Sequence, residues 1–459
     1  MRIAFVPIDN RPVCYTLAQQ IAAIDSDLEL LLPPREFLGD LKKTADIKGL
    51  LDWLKNLEKI DRVVLSLDTI AYGGLIPSRR SADTFEQIKE RIDTLKNILS
   101  EKSVKVYAFS SIMRISNNNI NEEEKEYWSL YGEKIFKYSY EMHKNVPQTS
   151  VDTDVPFEVI QDYLLTRKRN FEINQYYLES KFIDTLVFSK DDCAEFGFNV
   201  AEADALQMMI EETKANALVK TGADEIPLSL LSRAIAEGKG IKIAPVFTEP
   251  DFTDKISKYE DVSVFKSVKG QIELAGAKVS FEDDADIILF VNNFKDEQGE
   301  LVMGVDTEEF SHTLQLPEKP FLIADIRNAN GADNSFVEKL FEQKIDFEKF
   351  LGYAGWNTTG NTLGSALCCA LVKYLSKTPD EKAFKKVQSV RFLDDWAYQA
   401  NVRKKLKSYL CDISISELEK EMKPFESRVS QFLNTDISKL TYAYPWNRFF
   451  EIEVIINNY

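Results

Sequence analysis

Asp191-Asp192 is the sharpest chemical feature of this chain. Two neighbouring carboxyls allow one to protonate a leaving group while the other orients or polarises the substrate. Crowding them raises the pKa of one, which keeps a proton available near neutral pH. The same pair also suits a turn or a helix start, since acids favour helix N-termini and a helical pattern begins near Asn199. A second pair, Asp224-Glu225, follows Thr221-Gly222-Ala223, and Gly222 permits close approach of backbone to a ligand. Its plainer reading is a cap before Ile226-Pro227. From Asp325 to Asn334 the chain carries Asp325, Arg327, Asn328 and Asn330. Amides and guanidinium groups recognise hydroxyl-rich or carboxylate ligands, although an Asx-rich turn has the same composition. Between Gly355 and Gly364, small and hydroxyl residues open a helix whose first N–H groups suit an anion or a polar ligand. Within that stretch Trp356 offers a face to stack on a sugar ring, and Asn357 offers both donors and acceptors; a tightly packed loop is the alternative. The Gly-Lys-Ser/Thr ending of a phosphate-binding loop is missing.

These groups need elements to position them. Short apolar runs recur at Ile3–Val6, Leu28–Leu32, Arg62–Leu67, Val104–Phe109, Thr185–Phe188, Ala217–Val219, Ile241–Phe247, Ile287–Val291 and Phe321–Ala324, with a weaker one at Gly352–Ala354. Such runs, alternating with helical periodicity, mark parallel strands covered by helices. Helices are expected at about 84–99, 121–144, 155–180, 199–213, 226–238, 333–344 and 361–376. The fold class is therefore α/β. A parallel (β/α) barrel-like core is the leading architecture, and two doubly wound α/β domains are the alternative. The core spans 1–376, with a split near 225–240 in the two-domain case. Residues 377–459 read as a charged, helical C-terminal region with a final strand. In either architecture ligands bind at the carboxyl ends of strands, which adds Asp9, Asn10 and Arg11 after the first run, Asp68 after the third and Arg114 after the fourth.

Composition narrows the partners. Acidic residues number 74 against 57 basic ones, a net charge of -17. So acidic a surface repels nucleic acid and anionic membranes. The five cysteines are scattered without a CxxC, which fits a reducing, cytoplasmic setting and free thiols. With only two histidines, a Ser-His-Asp triad or His-rich metal site is disfavoured. The N-terminus runs directly into a strand pattern and does not read as a signal peptide, and no apolar window reaches 18 residues. The expected partner is a small carbohydrate; the sequence is silent on oligomeric state.

Several stretches together resemble a bacterial family filed among the domains of unknown function: Pro7-Ile8-Asp9-Asn10-Arg11-Pro12, Leu32-Pro33-Pro34-Arg35-Glu36, Ser66-Leu67-Asp68 with Tyr72-Gly73-Gly74, Phe109–Arg114, Asp191-Asp192, Gly222-Ala223-Asp224-Glu225, and Gly355-Trp356-Asn357 with Gly360-Asn361-Thr362. The resemblance spans roughly residues 1–450 and implies no activity. More loosely, Asp191-Asp192 is similar to the adjacent aspartates of barrel hexosaminidases that use the substrate acetamide as nucleophile. Gly222-Ala223-Asp224-Glu225 is similar to the Gly-Gly-Asp-Glu of another such group. Both likenesses imply that paired acids divide acetamide polarisation and leaving-group protonation between them, but flanking residues differ and the two pairs cannot fill one role. The expected function is a glycoside hydrolase, acting without a cofactor on a sugar that is N-acetylated in this analogy. A hydrolase or transferase whose carboxylates hold Mg²⁺ or Mn²⁺ is the first alternative. A non-catalytic sugar- or metabolite-binding protein is the second.

Overall fold

The structure, a computed structural model, describes residues 1–144, 154–409 and 411–457. The chain forms two compact units. The first comprises Met1–Asn10, Leu30–Pro227 and Tyr259–Asp261; the second comprises Arg11–Glu29, Leu228–Lys258 and Val262–Tyr459.

In the first unit the strands are β1 (Arg2–Val6), β2 (Glu29–Leu31), β3 (Arg62–Ser66), β4 (Lys105–Ile112), β5 (Thr185–Lys190) and β6 (Ala217–Thr221). They lie side by side in the order β2-β1-β3-β4-β5-β6, and the pairings from β1 to β6 are parallel. Central strands with helices on both faces bury both sets of side chains, which explains why Ile3–Val6 and Val63–Leu65 are uninterrupted apolar runs. Each such side chain contributes about 1.5–3 kcal/mol on full burial. The crossover helix Phe85–Lys102 begins at a capping box, in which Thr84 and Gln87 satisfy each other's backbone N–H. β4 runs three residues past its expected end because Ser110, Ser111 and Ile112 stay paired with Phe188, Ser189 and Lys190. The polar intruder Ser110 is satisfied by Asn174 at 2.7 Å.

The second unit holds β7 (Lys242–Phe247), β8 (Lys278–Val279), β9 (Ile287–Asn292), β10 (Gly299–Glu300), β11 (Phe321–Asp325), β12 (Asn328–Ala329), β13 (Phe350–Ala354), β14 (Leu440–Ala443) and β15 (Glu453–Ile456). Its main sheet is parallel, in the order β13-β11-β9-β7-β8. β10 with β12 makes a two-residue parallel ladder, and β14 with β15 an antiparallel pair. Helix Thr359–Leu375 covers the main sheet, with Leu363, Ala366, Leu367, Ala370 and Leu371 in the same apolar cluster as β9 and β11.

The barrel expectation is not met: the strands of the apolar runs fall in two open sheets of six and five strands, edged by β2 and β6 and by β13 and β8. The local βα rhythm is common to both architectures; strand order separates them, and here it reverses beside β1 and again beside β7. The C-terminal region does not stand apart as an appendage, since it clusters with the second unit. Helices Glu381–Arg391, the π-helical stretch Phe392–Val402, Arg403–Tyr409 and Ile415–Leu433 build it. Several of its charges are interior and paired, as where Arg391 meets Asp394 at 3.2 Å and Asp395 at 3.1 Å. Among the described residues, no helix is long and apolar enough to cross a membrane.

Candidate functional site

In an open parallel sheet, ligands bind outside the carboxyl ends of the strands where the order reverses. In the first unit that point lies between β1 and β3. Thr69 ties the two loops together by donating its hydroxyl to the Pro7 carbonyl at 2.8 Å. After β1, Asp9 is buried, and the Asn10 backbone accepts from Arg35 at 2.9 Å and donates to Gly39 at 3.2 Å. After β3, Asp68 sits in the short helix Leu67–Ala71, whose cap is Ser66. Its Oδ2 accepts the Ser111 N–H at 2.8 Å, and its buried Oδ1 has no hydrogen-bond partner. Burial pushes the Asp68 carboxyl up to about 7, against the pull of Ser111 and Arg79.

Beyond β4 and β5 lies a cluster of arginines and acids. Arg79 Nη2 meets Asp191 Oδ2 at 2.9 Å, and Arg114 Nη1 meets Asp192 Oδ2 at 3.0 Å. The same Arg114 nitrogen lies 3.6 Å from Asp191, so both acids share one guanidinium. Two further acids complete the cluster. Glu124 Oε1 lies 3.2 Å from Arg79 Nη1 and 3.3 Å from Arg114 Nε, while Glu123 reaches Arg114 Nη2 at 2.8 Å. Arg80 fastens their loop by donating to the Glu124 carbonyl at 2.9 Å and to the Glu122 carbonyl. Asp192 has a left-handed backbone, φ 39°. Burial, reinforced by the charge of Asp191, pushes its carboxyl up to about 7, although Arg114 and Arg79 oppose this. The side chain remains 36% exposed, so the acid is within reach of a ligand.

Asp224-Glu225 makes a separate feature of the first unit. Glu225 is 1% exposed and folds back to accept the Ala223 N–H at 3.1 Å. Burial, with Asp224 and Glu260 adding repulsion, pushes it up to about 8. Gly222 has φ +103°, and a Cβ there would fall 1.7 Å from Glu225 Oε1. The glycine thus makes room for the glutamate, rather than for a ligand.

In the second unit the order reverses between β7 and β9, where Glu249, Asn292 and Asn293 meet. Asn293 and Glu249 exchange hydrogen bonds of 2.9 Å. Asp325 accepts from Asn292 at 2.9 Å, from the Asp333 N–H at 2.8 Å and from Tyr353 at 3.0 Å. Arg327 reaches Glu249 at 2.9 Å and Asp333 at 3.3 Å. Asp325 and Arg327 are wholly buried, and burial, with the charge of Asp333 beside it, pushes the Asp325 carboxyl up to about 7. So enclosed and satisfied a network acts first as a structural plug. Asn328 lies over Gly299 in the small ladder, Asn330 donates to Glu300, and the Asn357 carbonyl accepts the Asn330 N–H at 2.7 Å. Arg11 lies over Trp446, 4.9 Å from the ring centroid.

One expectation needs correction. Trp356 is 1% exposed and packs edge-on to Phe450 at 6.3 Å, so it offers no open face for stacking. Thr362 fixes the loop by donating to the Trp356 carbonyl at 3.0 Å. Of the residues singled out in the sequence, Arg114, Asp191 and Asp192 come together directly in the first unit. Arg79 links to them, and its charge reaches Asp68. Carboxylate oxygens of Asp9 and Asp224 also lie within 4.8 Å of each other in that unit. Glu123 and Glu124 were not singled out at all. Their signal is the run Glu122–Glu124, eight to ten residues beyond Arg114, which ordinarily reads as a solvated face.

No curated protein matches the chain. The family described as "Protein of unknown function (DUF4127)" matches residues 3–455, nearly the full length, and the chain belongs to that family.

Proposed function

We propose that this protein is a hydrolase acting on a glycoside, with Asp192 as general acid and Asp191 as the group that orients and polarises the substrate. The observation that supports it most is Asp192 itself: a carboxyl held near pKa 7, partly open to solvent, beside a second carboxyl at the end of β5. Such an acid donates its proton to a departing glycosidic oxygen near neutral pH. In the reading for an N-acetylated sugar, the Asp191 carboxylate accepts the acetamide N–H and strengthens the acetamide oxygen as the nucleophile at the anomeric carbon. That oxygen forms the new bond as the glycosidic bond breaks, and the Asp192 proton leaves with the aglycone. Water then opens the intermediate, returning a proton to Asp192.

The guanidinium nitrogens of Arg79 and Arg114 stand at hydrogen-bond distance from both acids. The positive charge there comes from the chain itself, which favours this reading over one in which Mg²⁺ or Mn²⁺ bridges the pair.

The test is turnover of matched glycosides with activated and unactivated leaving groups, with and without the N-acetyl group. Nitrophenolate departs without a proton, so Asp192→Asn should cripple alkyl glycosides far more than nitrophenyl ones, by about 10²–10⁴-fold. Equal losses on both, or no turnover of any glycoside by the native chain, would refute the assignment.

A further inference from the structure

We infer that Glu124 is a positioning residue for the acid pair, bridging Arg79 and Arg114 and so setting how strongly each guanidinium holds Asp191 and Asp192. The inference deepens the glycosidase reading and rests on it for its catalytic meaning, but the electrostatic coupling can be measured without any substrate.

The geometry is a continuous path. Asp191 meets Arg79 Nη2 at 2.9 Å, and Arg79 Nη1 meets Glu124 Oε1 at 3.2 Å. That oxygen meets Arg114 Nε at 3.3 Å, and Arg114 Nη1 meets Asp192 at 3.0 Å. Glu124 is 5% exposed, and its loop is fastened by Arg80 through the Glu124 backbone carbonyl. It is therefore a fixed, desolvated charge, where coupling between groups is strong. Glu123 also faces the arginines, at 2.8 Å from Arg114 and 3.6 Å from Arg79, but its side chain is 22% exposed.

A guanidinium shared among several carboxylates neutralises each of them less. The groups facing Asp192 are Asp191 and the Cys193 thiol from its own loop, Arg114 from just past β4, Arg79 from the helix Leu75–Arg80, and Glu123. Glu124 acts on it through both arginines. Removing the Glu124 charge leaves those arginines freer to stabilise ionised Asp192, so its proton-binding midpoint must fall.

The experiment is carbon-13 carboxyl titration of the full-length chain labelled at aspartate, with Asp192→Asn identifying the resonance. Glu124→Gln, close to isosteric, is expected to lower the Asp192 midpoint by about one pH unit, the scale on which one neighbouring charge moves a carboxyl. Glu124→Asp, one methylene too short to reach both arginines, should move it the same way by less. If glycosides are turned over, the alkaline limb of kcat/KM should move down by the same amount. A folded Glu124→Gln or Glu124→Asp variant with an unmoved Asp192 midpoint overturns the inference. So does failure of both variants to fold, which would make Glu124 structural. A chain that turns over no glycoside but shows the titration shift would refute the glycosidase reading alone.

Discussion

Asp192 is informative because two effects compete at one carboxyl. Burial and Asp191 favour the proton, Arg114 and Arg79 disfavour it, and the outcome near 7 places the acid where a modest change in pH changes its charge. If Asp192 is the general acid, kcat/KM falls as pH rises through about 7, and Asp192→Asn removes that limb from the profile; rates measured from pH 5 to 9 decide it. Asp68 makes a stability prediction. Its carboxyl binds its proton up to about 7 when folded, against 3.8 as its ordinary value. The folded state therefore holds more protons than the unfolded chain between those values, and stability falls as pH rises across that window, by up to about 4 kcal/mol from this one buried group. Asp68→Asn should flatten the dependence and raise the melting temperature at pH 8. A variant that melts with the unaltered pH slope would contradict it. At this scale the sequence was half legible. Asp191, Asp192 and Arg114 stand directly after strands and were found. Arg79 follows β3 only after two short helices, and Glu124 lies in an acidic run, so neither shows its burial in its neighbours.

At the scale of elements, all ten apolar runs are strands, and in β1, β3, β9 and β11 burial on both faces leaves a signal that needs no alternation to be seen. Seven expected helices are also present. The short helices Thr16–Ala22, Leu67–Ala71 and Leu75–Arg80 escaped, since five to seven residues give too few turns for a period to register. Leu67–Ala71 starts directly off β3 with no polar loop to announce it. The Trp356 loop shows the opposite failure: glycines and hydroxyl groups suggested an open cradle, and the structure fills it with the indole. Trp356→Ala should accordingly cost about 3–5 kcal/mol of stability, the scale for deleting a large buried ring. A denaturant titration showing a loss below about 1 kcal/mol would contradict that burial. Gly222→Ala should also destabilise, through both the positive φ and the collision with Glu225, and Glu225→Ala in the same chain should recover the part due to the collision. Additive losses in that double variant would show that the glutamate is not what the glycine accommodates.

Across the whole molecule, strand order could not be read from the chain, because pairing is settled between segments far apart in sequence. Both main sheets nonetheless obey one rule, with their first-entered strand flanked on one side by the second and on the other by the third. Buried acids with raised midpoints occur in both units, among them Asp68 and Glu225 in one and Asp325 and Asp395 in the other. The same protonation argument applies to each, and a net charge of -17 adds repulsion in the same direction. Thermal stability should therefore decline from pH 5 to 8, and salt should recover only the screened surface share. Melting curves at low and high salt that coincide at pH 8 would remove the repulsive contribution. The division of the chain also fixes an order of events at the ribosome. β1 belongs to the first unit, but the segment just after it, Arg11–Glu29, belongs to the second. Within that segment Thr16 bonds Glu453 at 2.9 Å, and Asp25 accepts from Ser376 at 3.0 Å. Helix Thr16–Ala22, with its apolar Leu17 and Ile21, is thus synthesised long before Ser376 and Glu453, the partners its segment bonds. At about 5–20 residues per second, nascent chains carry that uncovered stretch for tens of seconds, long enough for a chaperone to find it.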